Sequence, residues 1–373
     1  MAENLIKNKG LTGLLTTENH PEEQEPKKKN TYSPLLNARG SNGLVSLPVT
    51  SRAIKARFTY NPEVNEGSLF TKDALKVTIT NYNNHTHLGK SILFLLYCLK
   101  EYTKIVPSKE LNKGENYRRF RASLITRDSR TIAINFEDYL DFFKIPDTPD
   151  NRKNARRNLR AFYETLKNVH FEFTDYSHKQ KKLLNYSLNL FSGTAEEVSE
   201  IKRSGDIYFI FNTDFIDYLT ENNFTTYISD NAYTLDLVKH PNSLAITFKL
   251  SVLYSMNYLK NNRGLISVKN LLADILNIPS YEEVKELKKS PYTAIIEPME
   301  RDLDYLQEYG LLKQWEYCNE KREPLSKEQL KSYGYKTLIK CFIKYELADY
   351  PEELQQKRLE TKKEKKANIT KKV

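Results

Sequence analysis

Near the middle of the chain, Asn151-Arg152-Lys153-Asn154-Ala155-Arg156-Arg157-Asn158-Leu159-Arg160 sets Arg152, Lys153, Arg156, Arg157 and Arg160 within three helical turns. Side chains of these types do not cleave or transfer groups on their own. Their chemistry is charge-assisted hydrogen bonding to polyanions, and an Arg can also read a guanine edge with two donors. Like charges at i,i+4, Lys153/Arg157 and Arg156/Arg160, repel, which costs stability unless something anionic lies against them. An ordinary solvated helix face is the plain alternative, and that repulsion argues against it.

Other constellations carry less. Gly89-Lys90-Ser91 before an apolar helix has the end of a phosphate-binding loop, but the Gly required five residues earlier is Asn84. A helix start is the simpler reading. His85 and His87 flank Thr86, where a metal-dependent nicking site needs an apolar residue, and no acidic cluster lies nearby. Tyr254 and Tyr258 with Lys260 imitate a nucleophile only in composition, since they fall on the apolar face of a helix and the chain has 25 Tyr. Catalytic motifs built on a nucleophilic Ser, a metal-binding His pair or paired Cys are missing. The expectation is a protein that binds rather than catalyses, with no cofactor and no metal.

The elements that position the basic cluster are legible around it. From about Asn151 to Val169 the apolar residues Ala155, Leu159, Phe162, Leu166 and Val169 are spaced 4, 3, 4, 3. They lie within roughly 40° of one direction on a helical wheel, and Lys153, Arg156, Arg157, Arg160 and Lys167 lie roughly 100–200° away. Upstream, Leu75–Thr80 alternates as a strand, Gly89-Lys90-Ser91 opens a helix over Ile92–Tyr102, and Thr131–Ile134 is a short strand. Asn135 is the predicted N-cap of a helix over Phe136–Phe143, which Pro146 and Pro149 end. Downstream, His170–Thr174 and Leu184–Leu190 alternate as strands around the basic loop Asp175–Lys182, whose Lys179, Lys181 and Lys182 suit a DNA backbone. Asp206–Phe211 is expected to complete that sheet.

The pattern recurs. Ser243–Leu259 is an apolar first helix, Ser267 caps Val268–Leu276, and Ser290-Pro291 starts a third helix that Gly310 stops. Strands are predicted over Leu312–Tyr317 and Tyr335–Tyr345. This second third-helix carries Glu297, Glu300, Asp304 and Glu308 outward, with Arg301 its main cation. The part suited to DNA is its approach: Lys288, Lys289, Ser290, Tyr292 and Thr293, where the helix dipole also favours a phosphate.

Composition agrees. The 373 residues carry a formal net charge of +10, and the 25 Tyr and 17 Phe compensate for a modest apolar fraction of 39%. A basic chain points to a polyanion, nucleic acid before membrane. Cys98, Cys318 and Cys341 are odd in number and scattered, so neither a disulfide framework nor a zinc site is indicated, and a reducing cytoplasm fits. The longest apolar run, Ser91–Leu99, is far below the ~20 residues that span a membrane.

The whole is α+β: two tandem winged-helix domains with flexible N- and C-terminal tails. The predicted boundaries are 1–55 disordered, 56–237 domain one, 238–350 domain two and 351–373 a basic tail. The order of elements resembles the initiator proteins of theta-replicating plasmids, which bind origin repeats (iterons) with two winged helices. The resemblance is carried by Asp206-Ile-Tyr-Phe-Ile-Phe-Asn-Thr-Asp-Phe-Ile-Asp-Tyr-Leu219, by Tyr233-Thr-Leu-Asp-Leu237, and by Leu244–Leu259. It covers roughly Lys76 to Tyr345. It implies double-stranded origin DNA as ligand, a homodimer that represses its own promoter, a monomer that opens the origin, and host replication proteins as partners. A transcriptional regulator on the same fold, and a relaxase or primase, are the alternatives.

Overall fold

The structure is a computed structural model. It describes residues 29–37, 59–61, 63, 66–70, 76–80, 88–105, 131–177, 180–196, 207–221, 224–273, 275, 277–357 and 359–360. His85, His87 and Lys179 lie outside these residues, as do residues 358 and 361–373 of the C-terminal tail. The fold is α+β, with helices packed on small antiparallel sheets.

Unit one contains β1 (Tyr32–Asn37), β2 (Thr59–Asn61), β3 (Glu66–Phe70), β4 (Lys76–Thr80), α1 (Leu88–Ile105), β5 (Thr131–Ile134), α2 (Phe136–Phe142) and α3 (Pro149–Lys167). It continues through β6 (Val169–Ser177), β7 (Lys182–Asn189), β8 (Phe191–Glu196), β9 (Ile207–Phe211), α4 (Thr213–Glu221) and β10 (Phe224–Ser229). Gly89 and Lys90 lie in the first turn of α1, and every residue from Ser91 to Lys100 is buried. That run is buried on all sides, so α1 is the central helix of the unit. Phe94 is fully buried and touches the ring of Tyr139 on α2 (6.2 Å), Phe162 on α3 (5.7 Å) and Phe209 on β9 (4.9 Å).

The helix starts follow from their caps. Asn135 accepts from the backbone N–H of Glu137 and Asp138 at 3.0 and 3.1 Å, as its position predicts. Pro149 begins α3 rather than ending α2. Thr148 is the cap, accepting from Asn151 N–H at 3.3 Å, and Pro149 has no N–H to lose in the first turn. α3 closes at Asn168, so Val169 is buried as the first residue of a strand.

The sheets of unit one divide differently from the expectation. The hairpin β6–β7 ends with Ser177 paired to Lys182. Lys182 is therefore a strand residue, and Lys181 takes a left-handed turn conformation at φ 54°. β6 pairs with β4 (Val77↔Phe171), which draws the hairpin into a five-stranded sheet ordered β2-β3-β4-β6-β7. β9 does not complete that sheet. It pairs with β5 and β8 in a separate three-stranded sheet ordered β5-β9-β8. β4 precedes α1 in sequence and offers β6 a long-range partner that local pattern does not reveal.

Unit two contains α5 (Ser243–Met256), β11 (Leu265–Ser267), α6 (Val268–Ala273), α7 (Tyr281–Glu286), α8 (Glu297–Glu308), β12 (Leu312–Cys318), α9 (Lys327–Ser332), α10 (Tyr335–Leu338) and β13 (Phe342–Leu347). α5 ends at Met256, and Leu259 is 68% exposed rather than part of the apolar helix. Ser267 accepts from Asn270 N–H at 3.2 Å, as expected. α7 was not anticipated, although Ser280 and Glu283 form a complete capping box at its start. Ser290 accepts from Thr293 N–H at 3.5 Å, and a π-helical turn over Tyr292–Ile296 leads into α8. Gly310 takes φ 84° and closes α8 with a paired cap: Leu311 N–H donates to Leu306 O and Gly310 N–H to Gln307 O. The strand predicted from Tyr335 begins only at Phe342, because Tyr335–Leu338 forms the short helix α10. The sheet order is β11-β13-β12, like that of the β5-β9-β8 sheet of unit one: the first strand of each sheet pairs with the last, and the last with the middle one.

Two segments expected to be tails carry structure. β1 lies within 1–55 and pairs with β10 along its length. Residues 352–357 are helical, and the side chain of Gln355 is buried, donating to Ser255 O at 3.2 Å. They close over Arg263, whose guanidinium lies 4.0 Å from the Tyr254 ring centroid and 4.4 Å from that of Tyr258, and bonds Glu352 at 2.6 Å. Arg263→Ala is expected to destabilise unit two by about 2–3 kcal/mol, the sum of a desolvated cation–π contact and a half-exposed ion pair. A urea denaturation midpoint that does not move would refute this. No helix among the described residues is long and apolar enough to cross a membrane.

Candidate nucleic-acid interface

α3 divides its residues between core and solvent. Ala155, Leu159, Phe162, Thr165 and Leu166 are buried. Lys153, Asn154, Arg157, Arg160, Glu164 and Lys167 are exposed. Arg156, expected on the outer face, lies on the flank of α3 with Arg152, both half-buried toward α2. The Arg156 guanidinium sits 4.6 Å from the Phe136 ring centroid. Arg152 forks onto Asp147 and also reaches Glu137 at 3.5 Å. The Arg152 guanidinium holds the Asp147 carboxyl below the usual carboxylate range, so this Arg already has its anion. These two cations brace the α2–α3 turn. At the far end, Lys167 pairs with Glu164 at 2.5 Å and lies over Tyr163. The outward cationic row is thus Lys153, Arg157 and Arg160, with Lys167 continuing it.

In unit two, the turn between α7 and the third helix holds the predicted residues. Lys288 takes a left-handed conformation at φ 52°, Lys289 N–H donates to Val284 O, and both side chains are exposed beside Ser290 and Thr293. Arg301 is exposed and its Nε lies 3.3 Å from buried Asp302. Tyr292 is committed to the helix itself: its hydroxyl donates to Glu300 at 2.9 Å. Partial burial and then the Glu300 carboxylate push that hydroxyl up to about 12. Tyr317 of β12 donates to the other oxygen of Glu300 at 2.8 Å, and Trp315 Nε1–H donates to Asp304 at 2.9 Å. Two of the four outer acids therefore clamp α8 to its own sheet, and Glu297 and Glu308 remain exposed. Tyr254 and Tyr258, weighed as nucleophiles, form the box around Arg263, and burial raises both hydroxyls. Among the described residues there is no group of three His, Cys, Asp or Glu that could hold a metal ion, and Cys98, Cys318 and Cys341 are buried free thiols.

No family model and no curated protein matches the chain. Among solved structures it is similar to a crystal structure of RctB domains 2–3 and to one of a selenomethionine derivative of domains 2 and 3 of the same protein. The first covers 84% of this chain and 99% of that chain, the second 82% and 98%, each at TM-score 0.35 and 10% identity. Likeness at that level is too distant to assign a fold or a function.

Asn154, not among the predicted contact residues, shares the exposed row with Lys153 and Arg157. An Asn on a groove-facing helix is the side chain suited to adenine. Its helical phase, four residues before Asn158 and three before Arg157, was the available signal.

Proposed function

We propose that this chain is a non-enzymatic, sequence-specific duplex-DNA-binding protein with two tandem winged helices, which initiates replication of a plasmid or related mobile element at origin repeats. The observation that carries the reading is the exposed row Lys153, Asn154, Arg157 and Arg160 on the helix whose other face is the core of unit one. A row of this kind neutralises phosphates along a groove and leaves an Arg and an Asn to meet base edges. The shared sheet order supports the doubling: in each unit a short strand after the first helix (β5, β11) pairs with a later strand (β9, β13), which also pairs with the strand before it (β8, β12). On this reading β8–β9 and β12–β13 are the wings, and β6–β7, with Lys181 and Lys182 at its turn, is an additional hairpin. Unit two approaches DNA through Lys288, Lys289, Ser290 and Thr293 rather than along α8. The initiator role, the homodimer and the host replication partners rest on the resemblance in element order, and the cytoplasmic setting on the three scattered, unpaired Cys.

Arg157→Ala and Arg160→Ala should each weaken binding to the repeat beside the gene by ~1–3 kcal/mol if they touch bases, and more evenly across sequences if they touch only phosphate. Fluorescence anisotropy on repeat and scrambled duplexes separates the two, and unchanged affinity for both variants removes α3 from the interface. A plasmid carrying only this gene and its flanking DNA should establish itself in a host. If the protein binds the repeats and the plasmid does not establish, the regulator reading replaces the initiator one.

A further inference from the structure

The first described residues sit where the two units meet. β1 pairs antiparallel with β10, from Tyr32↔Ser229 to Asn37↔Phe224, and β10 leads through the turn Asp230–Thr234 into unit two. Asn30, only 7% exposed, bonds in several directions. Its backbone N–H donates to Asp349 at 3.0 Å and its side-chain amide donates to Gly310 O at 2.6 Å. Its side-chain oxygen accepts from Ser229 Oγ at 2.9 Å and from Asn231 Nδ2 at 2.7 Å. Tyr32 donates to Ala348 O at 2.7 Å. Gly310 is the cap that closes α8, so one buried Asn joins the end of that helix to the junction between the units.

The same segment reaches unit one. Ser33 and Thr31 donate to the Asp230 carboxylate at 2.7 and 3.1 Å. That carboxylate also takes Lys100 Nζ at 3.1 Å, from the central helix α1. The Lys100 side chain is buried and lies 4.1 Å from the Phe142 ring centroid. A continuous chain of polar contacts thus runs from α1, through Asp230 and the 30–33 segment, to the cap of α8. Buried charges and amides so placed are costly to leave unpaired, which favours a single geometry.

We infer that residues 29–37 are a strap that fixes the angle between the two units, and thereby the spacing of the two DNA segments they contact. The strap stands on the contacts above, and its consequence for spacing rests on the DNA-binding reading. The test uses the full chain with spin labels on Asn154→Cys and Glu297→Cys, exposed positions on α3 and α8, the native thiols being buried. Without DNA the label distance should form one narrow peak. Asn30→Ala should abolish the single peak, and Tyr32→Phe, which removes one hydroxyl, should broaden it less. A single unchanged peak in Asn30→Ala overturns the strap. Should Asn30→Ala fail to fold, the Tyr32→Phe distribution decides in the same way, an unchanged peak overturning the proposal. On duplexes with about 5 bp, half a turn, inserted within the repeat, the unaltered protein should lose affinity and Asn30→Ala should lose much less. Equal losses overturn the spacing claim. If the distances respond while no protein binds any duplex, the DNA-binding reading fails and the strap survives.

Discussion

Reversing the outward row of α3, with Lys153→Glu, Arg157→Glu and Arg160→Glu together, is expected to abolish binding to the origin repeat and to leave the protein folded. Each of the three side chains is exposed, outside the buried set of α3. Three lost phosphate contacts flatten the salt dependence by about 0.9 per contact, and three new carboxylates repel the backbone, so affinity should fall at least ~10³-fold at low salt. Stability should change by less than about 1 kcal/mol, because 153 and 157 still repel as like charges, while Arg156 exchanges a like charge at 160 for an opposite one and Glu164 the reverse. Anisotropy titration checks the first claim and thermal melting the second. Affinity within threefold of the parent would mean that DNA, if bound, lies elsewhere.

Replacing Phe94 by Ala is expected to cost ~3–5 kcal/mol, the range for deleting a fully buried aromatic ring. The ring is where α1, α2, α3 and β9 meet, through Tyr139, Phe162 and Phe209. Its loss leaves a void at the point that orients the basic helix, so DNA binding should weaken along with stability. Phe94→Leu should recover much of the loss because most of the volume returns. Equilibrium denaturation decides: a midpoint within experimental error of the parent would show that unit one is not organised around this ring.

These two residue sets also show what sequence can and cannot disclose. α3 was legible because its apolar and charged residues differ strongly and alternate with a helical period, and its burial follows Ala155, Leu159, Phe162 and Leu166 as spaced. Caps made by single residues, the Asn135 and Ser267 side chains and the left-handed backbone of Gly310, were legible for the same local reason. Sheet membership was not. β6 pairs both with β7, a few residues downstream, and with β4, about 90 residues upstream, and local pattern discloses only the first. β1 was missed because Tyr32-Ser-Pro-Leu-Leu-Asn37 has no clean alternation and contains Pro34, which a strand in a two-stranded sheet tolerates. The candidate interface was half legible. Charge and period gave Lys153, Arg157 and Arg160, whereas the turning of Arg152 and Arg156 toward Phe136 and Asp147 depends on where α2 ends. The acidic face of α8 was visible as charge, but its use was not: Glu300 and Asp304 hold Tyr292, Tyr317 and Trp315.

The central claim is that α3 lies against duplex DNA, and ultraviolet crosslinking of the unaltered full chain to its repeat duplex, with the adducts mapped by mass spectrometry, tests it most directly. The account predicts adducts on peptides spanning Lys153 to Arg160, with a second group near Lys288 to Thr293. Adducts confined to other segments, such as the five-stranded sheet, would contradict it.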